Sequence, residues 1–420
     1  MEPSTIRNLS PITAADRIET LDVLRGFALL GILLMNIEGF AGPLVGAITG
    51  LDPALTGTDR WVDAAIYVLV QGKFYTLFSL LFGMGFAVMS QRAEVAMRPF
   101  AGLYWRRGLV LLGIGLLHAL LIWAGDILVT YALVSFLLLA FRPAPQKWLP
   151  WLAAGVYLLP VAFMGAIGAL GTLMQLEPTA TAEWNKSMAE LAAQMDTLRE
   201  GERNAYATGT FLDATVQRFE DTGFMLSNLP MMGFSVLGMF LLGSWFVKSG
   251  AMARPEQHPG LFARLRWLAL PLGLLAMLGS YALEPTMDFV TFTLTTAIAF
   301  ALNAVGSALM CLGYMAWIVR GLHSPSWERL LRWLAPAGRM ALSNYLLQSL
   351  VCTLIFYGYG LGYFERLSRA WQVPFVLALF VVQVLLSHAW LKRYRFGPME
   401  WLWRSLTYLK PQPLRSSPDR

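Results

Sequence analysis

The sequence predicts an all-α protein, a polytopic membrane helical bundle of about ten transmembrane helices with both termini cytoplasmic. Three observations predict it. Hydrophobic residues make up 56% of the 420 and charged residues only 14%, whereas a soluble domain carries about a quarter charged. Apolar runs long enough to cross ~30 Å of hydrocarbon recur from end to end, and the short alternating segments of a β-barrel are absent. The Lys and Arg residues gather in alternate loops, as cytoplasmic loops do.

Residues 1–20, MEPSTIRNLSPITAADRIET, are polar and mixed in charge and read as a cytoplasmic arm. No A-x-A cleavage site follows the first apolar run, so that run is expected to stay as a helix. An N-terminal transmembrane half then covers 21–174, with runs at roughly 21–38, 64–90, 107–124, 127–142 and 149–174. The first run opens LDVLRGFALLGILLMNI: Asp22 and Arg25 share one helical face at its entrance, and Asn36 follows eleven residues after Arg25. The second run exceeds a straight crossing, which tilt, a break at Gly72 or an interfacial lead-in would each explain. Its Lys73, in GKFYTLFSLLFGMG, is a candidate for holding a cytoplasmic donor or a side chain that snorkels to the boundary.

The third run carries His118, eleven residues beyond Arg107. At 1.5 Å per residue that is a rise of ~16 Å, about mid-membrane, and Asn36 lies at comparable depth. An imidazole in a span is a candidate base near neutral pH, and a neighbouring amide or carboxylate would fix its tautomer. The plain alternative is hydrogen-bonded glue between helices. Asp126 is the nearest carboxylate in sequence, but eight residues turn a helix ~80° past two full turns, so it reaches His118 only if the chain bends at Gly125.

The segment 175–222 is expected to form extracytoplasmic amphipathic helices, as a lid over a site or as a solvated connection. A C-terminal transmembrane half covers 223–395, with runs at roughly 223–247, 267–283, 289–319, 338–360 and 373–391. Within it GRMALSNYLLQS places Ser343, Asn344 and Gln348 where they would line a substrate cavity or join helices. Residues 396–420 read as an interfacial helix and a cytoplasmic tail, with Glu400 and Arg404 spaced as an i,i+4 pair.

The loops sort by charge. QRAEVAMRPFAGLYWRR, RPAPQK, KSGAMARPEQHPGLFARLR, RGLHSPSWERLLR and the tail from Lys392 are basic, whereas 39–63, Asp126, 175–222, 284–288 and 361–372 are poor in bases or net acidic. The net charge of +6 therefore reflects the positive-inside rule rather than nucleic-acid binding. Arg25, Arg106, Arg107 and Arg339 lie at the cytoplasmic mouth, where converging guanidinium forks suit phosphate oxygens; the alternative is simple membrane anchoring. His258, His323 and His388 lie in or near loops or a span end, and Cys311 and Cys352 lie inside apolar runs. No zinc spacing, glycine-rich phosphate loop or serine nucleophile elbow occurs, so no metal and no covalent nucleophile are expected.

Five blocks in order, LDVLRGFALLGILLMNI, GKFYTLFSLLFGMG, GLLHALLIWAGDILVTYAL, GRMALSNYLLQS and GPMEWLWRSLTY, resemble the bacterial inner-membrane YeiB-like family from Arg17 to Tyr408. Through its LRG…N block that family is similar to the transmembrane acyltransferase superfamily, which includes heparan-α-glucosaminide N-acetyltransferase and bacterial glycan O-acyltransferases. In the glycan enzymes a histidine generally holds the position of Asn36, whereas the lysosomal enzyme has asparagine there. The resemblance implies an acyl group, acetyl first, passing from cytoplasmic acyl-CoA to a hydroxyl or amine at the outer face. Its partners would be the bilayer, acyl-CoA (acetyl-CoA), an extracytoplasmic glycan or small-molecule acceptor, and optionally a second copy in a homodimer.

On this reading Arg25, Arg106, Arg107, Arg339 and Lys73 hold the donor, His118 is the base, Asn36 and Asp126 support it, and Ser343, Asn344 and Gln348 bind substrate. The role of His118 comes from its depth, not from the resemblance. The alternatives are a transporter or permease whose His118 and Asp126 relay protons, and a non-catalytic partner in an envelope complex.

Overall fold

The computed structural model describes residues 18–286 and 292–415. The expected N-terminal arm up to residue 17, the junction at 287–291 and the last five residues of the tail lie outside the described residues. The described chain is helical, and its only bridges are two isolated ones, Gly50 with Thr286 and Tyr394 with Arg415. In order the helices are α1 (Glu19–Ala41), α2 (Leu44–Ala47), α3 (Gly57–Leu69), α4 (Lys73–Val95), α5 (Ala101–Leu121) and α6 (Leu128–Ala140). There follow α7 (Leu149–Met174), α8 (Pro178–Ala207), α9 (Phe211–Ser227), α10 (Leu229–Lys248), α11 (Pro259–Arg264) and α12 (Leu270–Leu283). The chain ends with α13 (Leu294–Leu322), α14 (Pro325–Arg332), α15 (Ala335–Arg339), α16 (Ala341–Phe356), α17 (Arg369–Leu391) and α18 (Pro398–Tyr408).

Among the described residues, seven helical stretches are long and apolar enough to cross a membrane. The other three expected runs correspond to α5, whose first two turns carry Arg106 and Arg107, and to α6 and α16, which are apolar but short. At 13 residues α6 rises only ~20 Å, less than the hydrocarbon thickness. The second run is broken. Gly72 has φ +84°, and a Cβ there would meet Ser307 Oγ at 2.5 Å, so backbone conformation and close packing both select glycine. Lys73 is buried at this break, and its ammonium donates to the carbonyls of Tyr67 (2.9 Å), in the last turn of α3, and of Gln71 (2.7 Å), in the turn that follows.

Glycines set the closest helix crossings. A Cβ on Gly83 of α4 would overlap the Phe240 carbonyl of α10, and one on Gly243 of α10 would overlap the Leu80 carbonyl of α4. Gly26 of α1 and Gly338 of α15 meet the Leu334 and Asp22 carbonyls in the same way. Such small-residue contacts let dispersion and backbone proximity hold helices together where lipid supplies no hydrophobic driving force. The two transmembrane halves share one core: a single cluster runs from Leu21 through Phe240 to Val384. Large apolar side chains instead cover the outside of α7, α12 and α17, among them Trp151, Leu275 and Leu386. A soluble monomer does not present such a surface, and lipid is the solvent that suits it.

The segment expected as amphipathic helices is helical. α8 begins after Glu177, which accepts from Thr179 and Ala180 backbone amides, and α9 begins with a capping box of Thr210 and Asp213. Together they cap the end of the bundle that carries α2.

Candidate functional site

The centre of the site is the turn that joins α5 to α6. α5 stops at Leu121, and the chain passes through Ile122 to Ile127 before α6 begins. This bend brings Asp126 back onto the helix it has just left, and Asp126 Oδ2 lies 2.6 Å from His118 Nδ1. The other carboxylate oxygen accepts the Val129 backbone amide at 2.7 Å, so it anchors the first turn of α6. Gly115 makes the approach possible, since a Cβ there would press on Val129 N at 2.8 Å and Asp126 Oδ1 at 3.1 Å.

In the tautomer that donates Nδ1–H to the carboxylate, Nε2 is the acceptor of the imidazole. His118 is 1% exposed, and Nε2 has no hydrogen-bond partner in the described structure. Tyr345 of α16 sets its ring 5.2 Å from the imidazole, and Trp123 approaches edge-on at 6.5 Å. A buried, oriented imidazole with one free acceptor has the geometry of a general base.

Across Tyr345 from the imidazole is a cavity of about 190 Å³ that His118 itself does not line; His118 lines a separate groove on the other face of α16. Arg25, Arg107, Arg339 and Arg404 line the cavity together with Glu400, and Tyr345, Ile127, Leu128 and Tyr131 are also among its walls. Thus Tyr345 borders both the cavity and the His118 ring. Arg25 bonds Asp22 at 3.0 Å, as their spacing on α1 predicts. The Arg107 guanidinium lies 3.7 Å from the centre of the Trp403 ring, and the Trp403 indole donates to the Arg107 carbonyl at 2.9 Å. This fixes α18 against α5 and holds the guanidinium in place. Arg106 is exposed and does not line the cavity.

A second cavity of about 300 Å³ lies further along α1. Asn36, Gln71, Tyr75, Asn303 and Trp123 are among its walls. Asn36 is therefore not grouped with His118 in one pocket; Trp123, which donates to the Gly39 carbonyl at 3.2 Å, stands between the two sets. Lys73 does not line the cavity of the four arginines.

Asn344 and Gln348 join helices. Asn344 donates to the Ala337 carbonyl and Ser387, Gln348 donates to Gln383, and Gln383 donates back to the Asn344 carbonyl, all at 3.0–3.1 Å. This network ties α16 to α17. Ser343 donates to Glu400 at 2.5 Å and accepts from the Met399 amide at 3.0 Å. The Glu400 carboxylate also accepts the Leu342 and Ser343 amides, so it caps α16 where the sequence spacing suggested a partner in Arg404.

Some polar groups escaped the sequence reading. Arg404, which the spacing marked only as a partner for Glu400, joins the basic cavity. Arg369 of α17 is buried against Glu38 of α1 (2.9 Å) and Asp63 of α3 (2.8 Å), clamping three helices at the end opposite the arginines. In the α8–α9 cap, buried Arg218 reaches the Leu121 carbonyl at 3.2 Å and Tyr359 at 2.8 Å, and so holds the end of α5 close after His118. Nearby, Glu202 accepts the Val45 amide at 3.2 Å, and Tyr206 donates to Asp221. Burial, reinforced by the charge of Asp221, raises Glu202 to about 8; burial also raises Asp221, to about 6. Buried Arg and Glu in an extramembrane segment signal a folded cap, and the sequence spacing alone does not give their partners. No group of three or more His, Cys, Asp or Glu among the described residues could hold a metal.

Residues 246–410 match a family model described as "Protein of unknown function (DUF418)". Over 97% of its length the chain is 35% identical to the uncharacterized protein YxaH of Bacillus subtilis (strain 168), covering 98% of that protein. It is 31% identical, over 96% of its length, to the uncharacterized protein YeiB of Escherichia coli (strain K12), covering all of it. A 39.9 kDa protein from the amylase 3' region of Bacillus acidopullulyticus is 30% identical over 97% of this chain and 98% of its own. No solved structure matches the chain.

Proposed function

The chain belongs to the family of YeiB and YxaH, and we propose that it is an acyltransferase of the bacterial inner membrane. It takes an acyl group, acetyl first, from cytoplasmic acyl-CoA and passes it to a hydroxyl or amine at the outer face. The chain lies with both termini inside, because the basic loops all fall on that side.

The observation that carries the reading is the dyad: His118, oriented by Asp126 at 2.6 Å, with a buried Nε2 that no protein atom occupies. In the step proposed, Nε2 takes the proton of the acceptor as its oxygen or nitrogen attacks the thioester carbonyl. The C–S bond breaks, and the imidazolium returns the proton to the departing CoA sulfur. Asp126 balances the imidazolium charge while it lasts. Arg25, Arg107, Arg339 and Arg404 would hold the donor phosphates, with the thioester toward Tyr345. A glycan or small-molecule acceptor would enter through the cavity of Asn36, Gln71 and Asn303.

One observation favours a transporter. The break at Gly72 and the short helices α6 and α16 are the discontinuous elements from which transporters build midplane sites. Calorimetry of acetyl-CoA with detergent-solubilised protein separates the two readings. Acyl transfer predicts binding that Arg25→Ala weakens and His118→Ala preserves. Absence of binding to folded wild-type protein would leave the transporter reading in its place.

A further inference from the structure

On the far side of α16 from the arginine cavity runs a groove of about 1120 Å³, bounded by α5, α16, α17 and the start of α18. Most of its wall is apolar, with Leu117 and Leu121 of α5, Leu347 and Leu350 of α16 and Leu386 of α17, and His118, Ser343, Asn344 and Ser387 are the polar side chains among them. Four of these, Leu117, Leu121, Leu350 and Leu386, are among the exposed apolar side chains, so the groove opens sideways where the bilayer lies. At the end where α17 stops, the lining changes to Lys392, Arg393, Trp390 and Tyr394. The rings of Trp390 and Tyr394 stack at 4.3 Å, and the Trp390 indole is tied to the Phe396 carbonyl at 2.9 Å.

These two ends have different chemistry. Stacked Trp and Tyr beside Lys and Arg mark the depth of lipid headgroups, and bases between helices on the cytoplasmic side recognise anionic ones. The leucine walls above them offer hydrocarbon contact and no charged group. We propose that the groove is a binding site for one anionic phospholipid of the cytoplasmic leaflet. Its phosphate lies on Lys392 and Arg393, and a hydrocarbon chain runs along Leu347, Leu350 and Leu386 toward the wall that contains His118. There the chain closes the groove beside the imidazole and keeps bulk water from that face. This occupant goes beyond the acyl-transfer reading and does not depend on it.

Native mass spectrometry of the full chain in detergent, titrated with phosphatidylglycerol and with phosphatidylcholine, tests the site. One tightly retained phosphatidylglycerol is expected, with phosphatidylcholine retained far less. The double variant Lys392→Gln/Arg393→Gln should weaken the phosphatidylglycerol about 30-fold, taking ~1 kcal/mol for each base near a charged lipid. Leu347→Trp, which narrows the groove along the proposed path of the hydrocarbon chain and leaves both bases, should also weaken lipid binding. Equal retention of the two lipids by the wild-type protein overturns the proposal, and that comparison needs no variant to fold. Undiminished phosphatidylglycerol binding in a folded double variant overturns it too. Acetyl-CoA affinity measured on the same samples reports separately on the donor site.

Discussion

His118 and Asp126 lie eight residues apart in the chain and 2.6 Å apart in space, on either side of the turn from α5 to α6. A continuous helix would have separated them. The turn makes Asp126 serve twice, since one oxygen orients the imidazole and the other anchors α6. The dyad is therefore built into the hairpin rather than attached to it. His118→Gln should lower acyl transfer by ~10²–10⁴-fold, the usual contribution of a general base, while acetyl-CoA affinity stays unchanged. Asp126→Asn should act in the same direction, because an amide can donate to Nδ1 and leave the proton on Nε2. Steady-state kinetics with calorimetry checks both; a wild-type rate in His118→Gln removes His118 from the chemistry, and a wild-type rate in Asp126→Asn removes the orienting role of Asp126.

The four arginines make a second, separable prediction. Arg107→Ala should weaken acetyl-CoA binding by roughly 10–100-fold, in line with loss of a charge-assisted contact worth ~1.5–3 kcal/mol. Trp403→Ala should reproduce part of that loss, because the ring 3.7 Å away positions the guanidinium. Arg106→Ala, one residue along but exposed, should leave affinity unchanged. Equal effects at 106 and 107 would mean that the bases act only as general membrane anchors.

Lys73 predicts a change in stability without a change in binding. Lys73→Met strips the donor from the carbonyls of Tyr67 and Gln71 inside the bundle. Unfolding should become easier by ~1–3 kcal/mol, the cost of leaving buried acceptors unpaired. A lower thermal midpoint with unaltered acetyl-CoA affinity is expected; weaker acetyl-CoA binding would return Lys73 to the donor site.

The cap should respond to pH. Glu202 and Asp221 both have folded pKa values raised above those of free carboxylates, mainly by burial. Their contribution to stability is fully present below the unfolded carboxylate range and is lost as pH rises through the folded values, between about 6 and about 8. Hydrogen-exchange protection over α8 and α9, taken relative to the intrinsic amide rate at each pH, should therefore be greater at pH 5 than at pH 9. Glu202→Gln, which stays neutral, should flatten that difference. Protection that grows as pH rises would reverse the sign and refute the account of the cap.

Much of the fold was legible because one physical quantity, apolar length, marks every helix that meets lipid. The same quantity does not separate lipid from protein as the reason for apolarity in α6, where protein buries Val129, Ala132 and Leu138. It also runs through Gly72, where a positive φ interrupts the second run, as one of the three explanations of its length expected. The candidate site was legible as single residues but not as pairs. His118 stood out by depth, yet its partner depends on the chain leaving the helix at Ile122. Asn344 and Gln348 left cavity and glue open until Gln383 and Ser387, spaced by the same one turn on α17, answered them. Glu400 looked bound to Arg404 by spacing, but α16 presents its amides to that carboxylate across more than fifty residues of chain.

The central claim is that an oriented His118 moves an acyl group across the site. The most direct measurement supplies acetyl-CoA labelled in the acetyl group to inverted membrane vesicles containing the protein. The label is then followed into material inside the vesicles, with wild-type protein and with His118→Gln. The account predicts label delivered by the wild-type protein and lost in the variant, with acetyl-CoA still bound by both. Bound donor with equal delivery from the two proteins would contradict it.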